Sequence, residues 1–512
     1  MKANILACLI ASVVMVSCID EGTRQEESTA ASESAARAAP LPRLHAETGS
    51  RAGIYDEFDR EVLLRGVNYT SLGDYYQGHP DLPPGVKPRP NDLPNMASLG
   101  FNVIRLVIHW SQLEPIRGEL NQAYIREIRE QVRAAEAQGM YVVLDMHQDA
   151  WGKHIATPAG EFCLPPLLQP AIGWDGAPDW ATITDGLSTC RISIRELSPA
   201  VTAAFTNFWL DRNGIQSALV TTWGKLAAEF AAEPAVAGYD LLNEPHPGFL
   251  LGVSELLSTG SFYGRAIKAI RAAEAKATNG FSHIVFFEPT VDWSAFGATL
   301  PPLKGFTSDT NIVFAPHLYA DSITIAPLSI EQGFQLAKLA ADSLGTALWS
   351  GEWGWFGDPV ENNAKLREYA SFEDKYRIGG AWWVWRQACG DPHSLNESNG
   401  EIPGDQIALW RNGCPGDIDM GLVPEYALTL SRAYPRAAPG RLLTLSADID
   451  TGAIELTGAT ANPGVLELWL PERIGTPEIS GGEQVELKKM AGGFLLSLRV
   501  QGDYRVSVTP SR

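Results

Sequence analysis

From about residue 50 onward, short unbroken apolar runs alternate with stretches of helical spacing. The runs lie at residues 64–69, 102–110, 141–147, 236–244, 283–289, 312–319, 347–352 and 381–386. Each is near-continuously apolar, as a strand buried on both faces should be. Between them, residues 124–138, 215–232 and 262–277 place apolar side chains at three- and four-residue spacing and predict helices. Eight strand–helix units over roughly 380 residues predict an α/β fold, a (β/α)8 TIM barrel with long loops. A doubly wound parallel sheet is the alternative, but no Gly-rich phosphate turn follows the first strand.

After about residue 440 the helical spacing stops. Short alternating segments follow at 441–447, 453–457, 465–470, 493–500 and 504–508, punctuated by Asn462-Pro463-Gly464 and Gly481-Gly482. This predicts a small C-terminal β-sandwich over 439–512, with the catalytic barrel over 50–438. The opposite end is of another kind. Lys2 precedes an apolar run at 5–16 that is too short to span a bilayer as a mature helix. It ends in Met15-Val16-Ser17-Cys18, which resembles a bacterial lipobox with Cys18 as the lipidated residue. Residues 1–18 therefore read as a signal peptide, with simple secretion as the rival to lipid anchoring, and 19–49 as a disordered tether rich in Ser, Ala, Glu and Arg. Either way the protein is expected to be extracytoplasmic, secreted or anchored to a bacterial membrane.

Composition narrows the partners. The formal charge of −20 argues against nucleic acid, since no basic stripe is available to neutralise phosphates. Many of the 15 Trp sit beside polar residues, where indole rings can stack on sugars as well as fill a core. Outside the export segment four Cys remain, and an even count in an oxidising compartment predicts local disulfides, Cys163–Cys190 and Cys389–Cys414. No Cys-x-x-Cys or clustered His spacing suggests zinc, and neither metal nor cofactor is implied. The chain is expected to act as a monomer.

Cleaving a glycosidic bond takes two carboxyl groups, one protonated and one ionised. In a barrel these belong at the C-terminal ends of strands. Strand four ends in Leu241-Leu242-Asn243-Glu244-Pro245 and strand seven in Trp349-Ser350-Gly351-Glu352-Trp353. Two Glu on strand ends that face each other across a barrel can flank one bond. Glu288, at the end of strand five, is adjacent to strand four rather than opposite, which suits a structural or substrate-binding role. Asp145 reads as a buried, hydrogen-bonded carboxylate. Arg105 interrupts an apolar run in strand two, where a lone charge would be costly, and is expected to pair with Glu352. His147 and Asp149 close strand three, His317 and Tyr319 close strand six, and Trp385 is placed to floor a sugar subsite.

Asn243-Glu244-Pro245, Arg105, His317–Tyr319 and Glu352 together resemble glycoside hydrolase family 5, whose members retain anomeric configuration. Within it the likeness is to endoglycoceramidases, carried by Asp145-Met146-His147-Gln148-Asp149-Ala150, by the strand-four end, by Ala315-Pro316-His317-Leu318-Tyr319 and by the Tyr434-Pro435-Arg436-Ala437 junction. The resemblance implies Glu244 as acid/base and Glu352 as nucleophile steadied by Tyr319. It implies that His147, Asp149 and Asn243 bind the sugar and that Trp385 stacks on it. The implied substrate is a glycosphingolipid cut between glycan and ceramide, so membrane contact comes through the substrate and through any lipid anchor. A β-glucosidase acting on glucosylceramide or sterol glucosides, a family 5 endoglucanase, and a catalytically dead sugar-binding lipoprotein are the alternatives. Phe249, Leu250, Leu251, Leu256 and Leu257 are candidates for a lipid groove. Two departures bear on the glycan: the loop after strand one has no Lys before Lys87, and the Cys163–Cys190 loop is particular to this sequence.

Overall fold

The computed structural model describes residues 40–393, 407–416 and 418–511. The expected export segment, Cys18 and the tether as far as residue 39 lie outside the described residues. Eight parallel strands form the barrel: Arg65–Tyr69, Val103–His109, Tyr141–His147, Val236–Asp240, Ile284–Phe287, Ile312–Phe314, a seventh in two pieces, and Gly380–Trp382. The seventh is interrupted at Trp349. Its first piece, Ala347–Leu348, pairs with strand six, and its second, Ser350–Trp353, pairs with strand eight, which itself pairs with strand one. That break lets one strand close the ring.

The helices form where the spacing predicts them. Helix Gln122–Ala137 starts at Asn121, whose side chain accepts hydrogen bonds from the N–H groups of Ala123 and Tyr124. It buries Tyr124, Ile125, Ile128, Val132 and Ala135 against the sheet. Within strand two, Ile104, Leu106 and Ile108 join the large core under the helices, while Val103 belongs to a separate cluster on the barrel axis. Arg105 shares the inward parity of Val103.

The axial cluster corrects the expected domain boundaries. Val103, Val143, Phe286 and Trp349 pack there with Leu44, Ala46, Ile54 and Val62. Those last four lie on three short strands, Leu44–Glu47, Gly53–Asp56 and Arg60–Val62, expected as tether and barrel. They pair in sequence, and the third pairs with Tyr434–Pro439 of the C-terminal sheet. The N-terminal strands thus plug the barrel floor and join it to the C-terminal sheet. Local periodicity could not show this, because their partners lie hundreds of residues away.

The C-terminal unit is antiparallel and built on two 18-residue strands, Ile454–Pro471 and Gly493–Pro510. Arg441–Ala447 and Pro477–Ser480 flank one half of this pair, and Tyr434–Pro439 and Glu483–Met490 the other. The two halves share one core containing Leu456, Leu466, Leu468, Trp469, Leu498, Val506 and Val508. Asn462-Pro463-Gly464, expected as a turn, is instead a register shift between Thr460 and Gly464 within one long strand.

Trp469 joins this unit to the barrel. It is buried against Gly100, a residue at φ +84° whose carbonyl accepts a hydrogen bond from Tyr434 Oη at 2.8 Å. A Cβ at position 100 would overlap the Trp469 indole. Gly100→Ala is expected to cost roughly 2 kcal/mol or more through the left-handed backbone and the clash together. Urea denaturation of the whole chain should show a lower midpoint, and an unchanged midpoint would contradict this packing.

Candidate active site

The inward-facing residues above the floor are charged. Arg105 Nη1 donates to Glu352 Oε1 at 2.9 Å, which meets the expected pairing. The same guanidinium reaches Asp240 Oδ2 at 2.9 Å, Glu288 Oε1 at 2.8 Å and Asp145 Oδ1 at 2.9 Å. It also donates to the side-chain carbonyls of Asn68 and Asn243, both at 3.0 Å. All of these groups are buried. Removing such a cation would leave uncompensated carboxylates in a low-dielectric interior.

Glu352 receives a second donor, Tyr319 Oη, at 3.0 Å from Oε2. His317 lies between the two glutamates, with Nδ1 2.8 Å from Glu244 Oε1 and 3.4 Å from Glu352 Oε2. Its Nε2 is 3.2 Å from Glu288 Oε1. One carboxylate oxygen each of Glu244 and Glu352, together with a His317 ring nitrogen, lie within 4.8 Å of one another. That closeness suits direct attack by a carboxylate, for which carboxyls about 5–5.5 Å apart are needed, and not the wider gap of inverting enzymes.

Ser294, which the sequence did not single out, and Glu288, expected in a structural or substrate-binding role, also hold Glu244. Ser294 donates its hydroxyl to Glu244 Oε1, and Glu288 Oε2 accepts the Glu244 backbone N–H at 2.8 Å. Glu244 sits at φ +34°, a strained conformation for a side chain with a Cβ, which this N–H contact helps to hold.

The proton balance follows from these contacts. Burial works against a charged His317, but Glu288, Glu352 and Glu244 outweigh it and hold the imidazole well above its usual pKa. Burial pushes Glu244 up, yet the His317 contact and the Ser294 hydroxyl bring it below the ordinary value. Glu352 is raised by burial against the opposing pull of His317 and Arg105. Glu288 is driven by burial, with Asp240 adding to it, to about 8. These directions favour the transferable proton on His317, in line with Glu244. The order of the two glutamates is the reverse of their working states. Geometry assigns the roles instead: both Glu352 oxygens are held by fixed donors, whereas Glu244 lines the cavity.

Among the described residues three donor clusters are close enough to ligate a cation: Asp145 with Asp240 and Glu288, Glu244 with His317 and Glu352, and His147 with Asp149 and His393. Arg105 already neutralises the first, cationic His317 the second, and Arg195, 2.5 Å from Asp149 Oδ1, the third. The sets suit proton transfer and hydroxyl binding better than a metal.

The family's sequence model, described as Cellulase (glycosyl hydrolase family 5), matches residues 86–388. The chain belongs to glycosyl hydrolase family 5. Endoglycoceramidase I of Rhodococcus hoagii (strain 103S) is 30% identical over 294 residues, 55% of this chain and 54% of that protein, so the match spans about half of that relative. Endoglycoceramidase of Hydra vulgaris is 24% identical over 80% of this chain and 76% of its own length. A crystal structure of an endogalactoceramidase superposes with a TM-score of 0.84 and 47% identity, covering 92% of this chain and all of that one.

Within this family 5 site most of the expected residues converge, with three differences. Asn243 is oriented by two contacts that were not foreseen, accepting from Arg105 and donating one of its two Nδ2–H groups to the Gln148 carbonyl at 3.0 Å. Trp385 is not a sugar platform. It is fully buried, with its ring 5.5 Å from Trp410 and its backbone bonded to Asn68 and Trp410. Trp383 is the ring of this segment that meets the site, stacked on His147 at 5.2 Å and 12°. The strand ends at Trp382, so period-two alternation no longer says which of the following rings faces inward. Third, Asp149 is gripped by Arg195 and by His393 Nε2 at 2.8 Å, neither of them foreseen.

His246, two residues beyond Glu244, supplies a pH test. Burial lowers it to about 4, and its Nδ1 accepts the Gly248 N–H at 2.9 Å, as a neutral ring must. The unfolded chain takes up this proton near pH 6.5, before the folded one does. Its contribution to stability is thus intact above pH 6.5 and is lost between 6.5 and 4, up to about 3 kcal/mol. Urea titrations across that range should show a shallower acid slope for His246→Gln than for the wild type. Parallel slopes would exclude the assignment.

Proposed function

We propose that the chain is a retaining β-glycosidase that hydrolyses the bond between glycan and ceramide in glycosphingolipids. The observation that carries this reading is the cavity that opens from Glu244. It has a volume of about 500 Å³, and beyond Glu244 and Ser294 one wall is apolar, made by Val291, Ala295, Ile323, Ile325 and Phe356. The rest of the lining is mostly polar, with Gln169, Arg191, Ser193, Arg195 and Glu196 beside Ile194. An apolar wall starting at the acid/base is where a lipid leaving group would lie. The segment expected as a groove is not part of it: Phe249, Leu251 and Leu257 are exposed and absent from the described wall.

In the reaction Glu352 attacks the anomeric carbon as the bond to the leaving oxygen breaks. Glu244, having taken the His317 proton, passes it to that oxygen and frees ceramide. Glu244 then removes a proton from water, whose oxygen displaces Glu352 with net retention. Arg105 and Tyr319 aim the Glu352 carboxylate for attack and receive it again when water breaks the glycosyl ester.

The likeness to an endogalactoceramidase, 47% identical over 92% of this chain, favours galactose as the sugar attached to ceramide. A glucose-linked ceramide is the second reading, supported by the endoglycoceramidase relatives. The protein is read as a single-chain, extracytoplasmic enzyme, secreted or anchored through Cys18. The disulfides Cys163–Cys190 and Cys389–Cys414 support an oxidising location.

Mature protein should release intact oligosaccharide and ceramide from an oligosaccharide linked through galactose to ceramide, and less from GM1 or lactosylceramide. The reverse order would select the glucose reading. Release from cellulose oligosaccharides alone would overturn the lipid substrate. Glu352→Gln should lower kcat on the order of 10⁴-fold while substrate binding persists.

A further inference from the structure

We propose that Arg195 and His393 are positioning residues that clamp Asp149 from both sides, and that the two disulfides set sugar affinity by fixing the loops that carry them. The inference rests on the glycosidase reading of the pocket and concerns how that pocket grips its sugar. Arg195 Nη2 lies 2.5 Å from Asp149 Oδ1, and His393 Nε2 lies 2.8 Å from Oδ2. His393 is aimed in turn by Asp391, 2.8 Å from Nδ1. Both side chains rest on one indole. The Arg195 guanidinium sits 4.2 Å above Trp174, and the His393 ring meets the same indole edge-on at 4.8 Å.

The clamp is tied to the sugar site in two ways. His393 packs against Trp383 at 5.3 Å, the ring that stacks on His147, and His147 Nε2 is 3.6 Å from Asp149 Oδ2. Arg195 shares the cavity wall with Glu244. A carboxylate held by one donor on each oxygen keeps further lone pairs for sugar hydroxyls, in a fixed orientation.

Neither clamp residue stands on a barrel strand. Arg195 follows Cys190 in a long loop after strand three, held by little regular structure beyond the short helix Asp179–Ala181 and the isolated bridges Gln169–Arg191 and Asp149–Asp175. Cys163–Cys190 closes this loop. His393 follows Cys389 after strand eight, where Cys389–Cys414 closes the other. Cys190 lies five residues before Arg195 and Cys389 four before His393, so each cross-link anchors the chain beside one arm and narrows the conformations that arm can sample.

The test measures kcat and KM of Arg195→Met, Arg195→Lys, His393→Gln, Cys163→Ser/Cys190→Ser and Cys389→Ser/Cys414→Ser on whichever glycolipid the wild type cleaves, with a melting curve for each. Calorimetry of the same substitutions in the Glu352→Gln protein, titrated with the free glycan, gives affinity without turnover. Arg195→Met and His393→Gln should each raise KM about tenfold, as losing one charge-assisted hydrogen bond does, with kcat within about threefold. Arg195→Lys should recover part of the loss, and each disulfide pair variant should raise KM in the same direction. A KM that stays at the wild-type value while the melting temperature falls would make these groups merely structural and overturn the clamp. A wild type that cleaves none of the glycosides would instead overturn the glycosidase reading, and the clamp with it.

Discussion

One guanidinium organises the centre of this barrel. Arg105, on strand two, contacts Asp145 on strand three, Asp240 on strand four, Glu288 after strand five and Glu352 on strand seven. It also donates to Asn68 on strand one and Asn243 after strand four. Burying so many carboxylates is tolerable only because a cation lies within hydrogen-bond distance of each, and because one of them can keep a proton. Glu288, carried to about 8 by burial, is the group suited to that. The network binds strands that are distant in sequence and fixes the height at which Glu352 stands above the apolar floor.

The layers along the barrel axis follow from that constraint. The floor is apolar and covered by the N-terminal strands, and Arg105 above it is fully buried. Above Arg105 lie His317, Tyr319 and the two glutamates, where a proton can pass between Nδ1 and Glu244 across 2.8 Å. Higher still, loops replace strands, and two disulfides supply order that the sheet no longer provides. Rigidity thus passes from hydrogen-bonded strands to cross-linked loops as the pocket opens.

Much of this was legible in the chain. Buried parallel strands read as unbroken apolar runs, so all eight barrel strands were located, and the polar residues ending those runs had to meet at one mouth. A lone Arg in such a run demanded a carboxylate partner, and Glu352 is one of four. Trp385 was misjudged against Trp383 because the strand ends at Trp382 and alternation stops there. An apolar groove was sought after strand four, whereas the apolar wall beside Glu244 is built from the loops that follow strands five, six and seven.

The sequence by itself determined where the eight barrel strands and several of their helices lie, that two glutamates stand on facing strand ends, and which cysteines pair. These depend on local periodicity, on the fixed geometry of a closed barrel and on a short list of possible partners. Only the tertiary structure decided that residues 44–62 cover the barrel floor, that the transferable proton is favoured on His317 beside Glu244, and that Arg195 and His393 close on Asp149. Each of these depends on contacts between residues far apart in the chain, and on burial that no local pattern encodes.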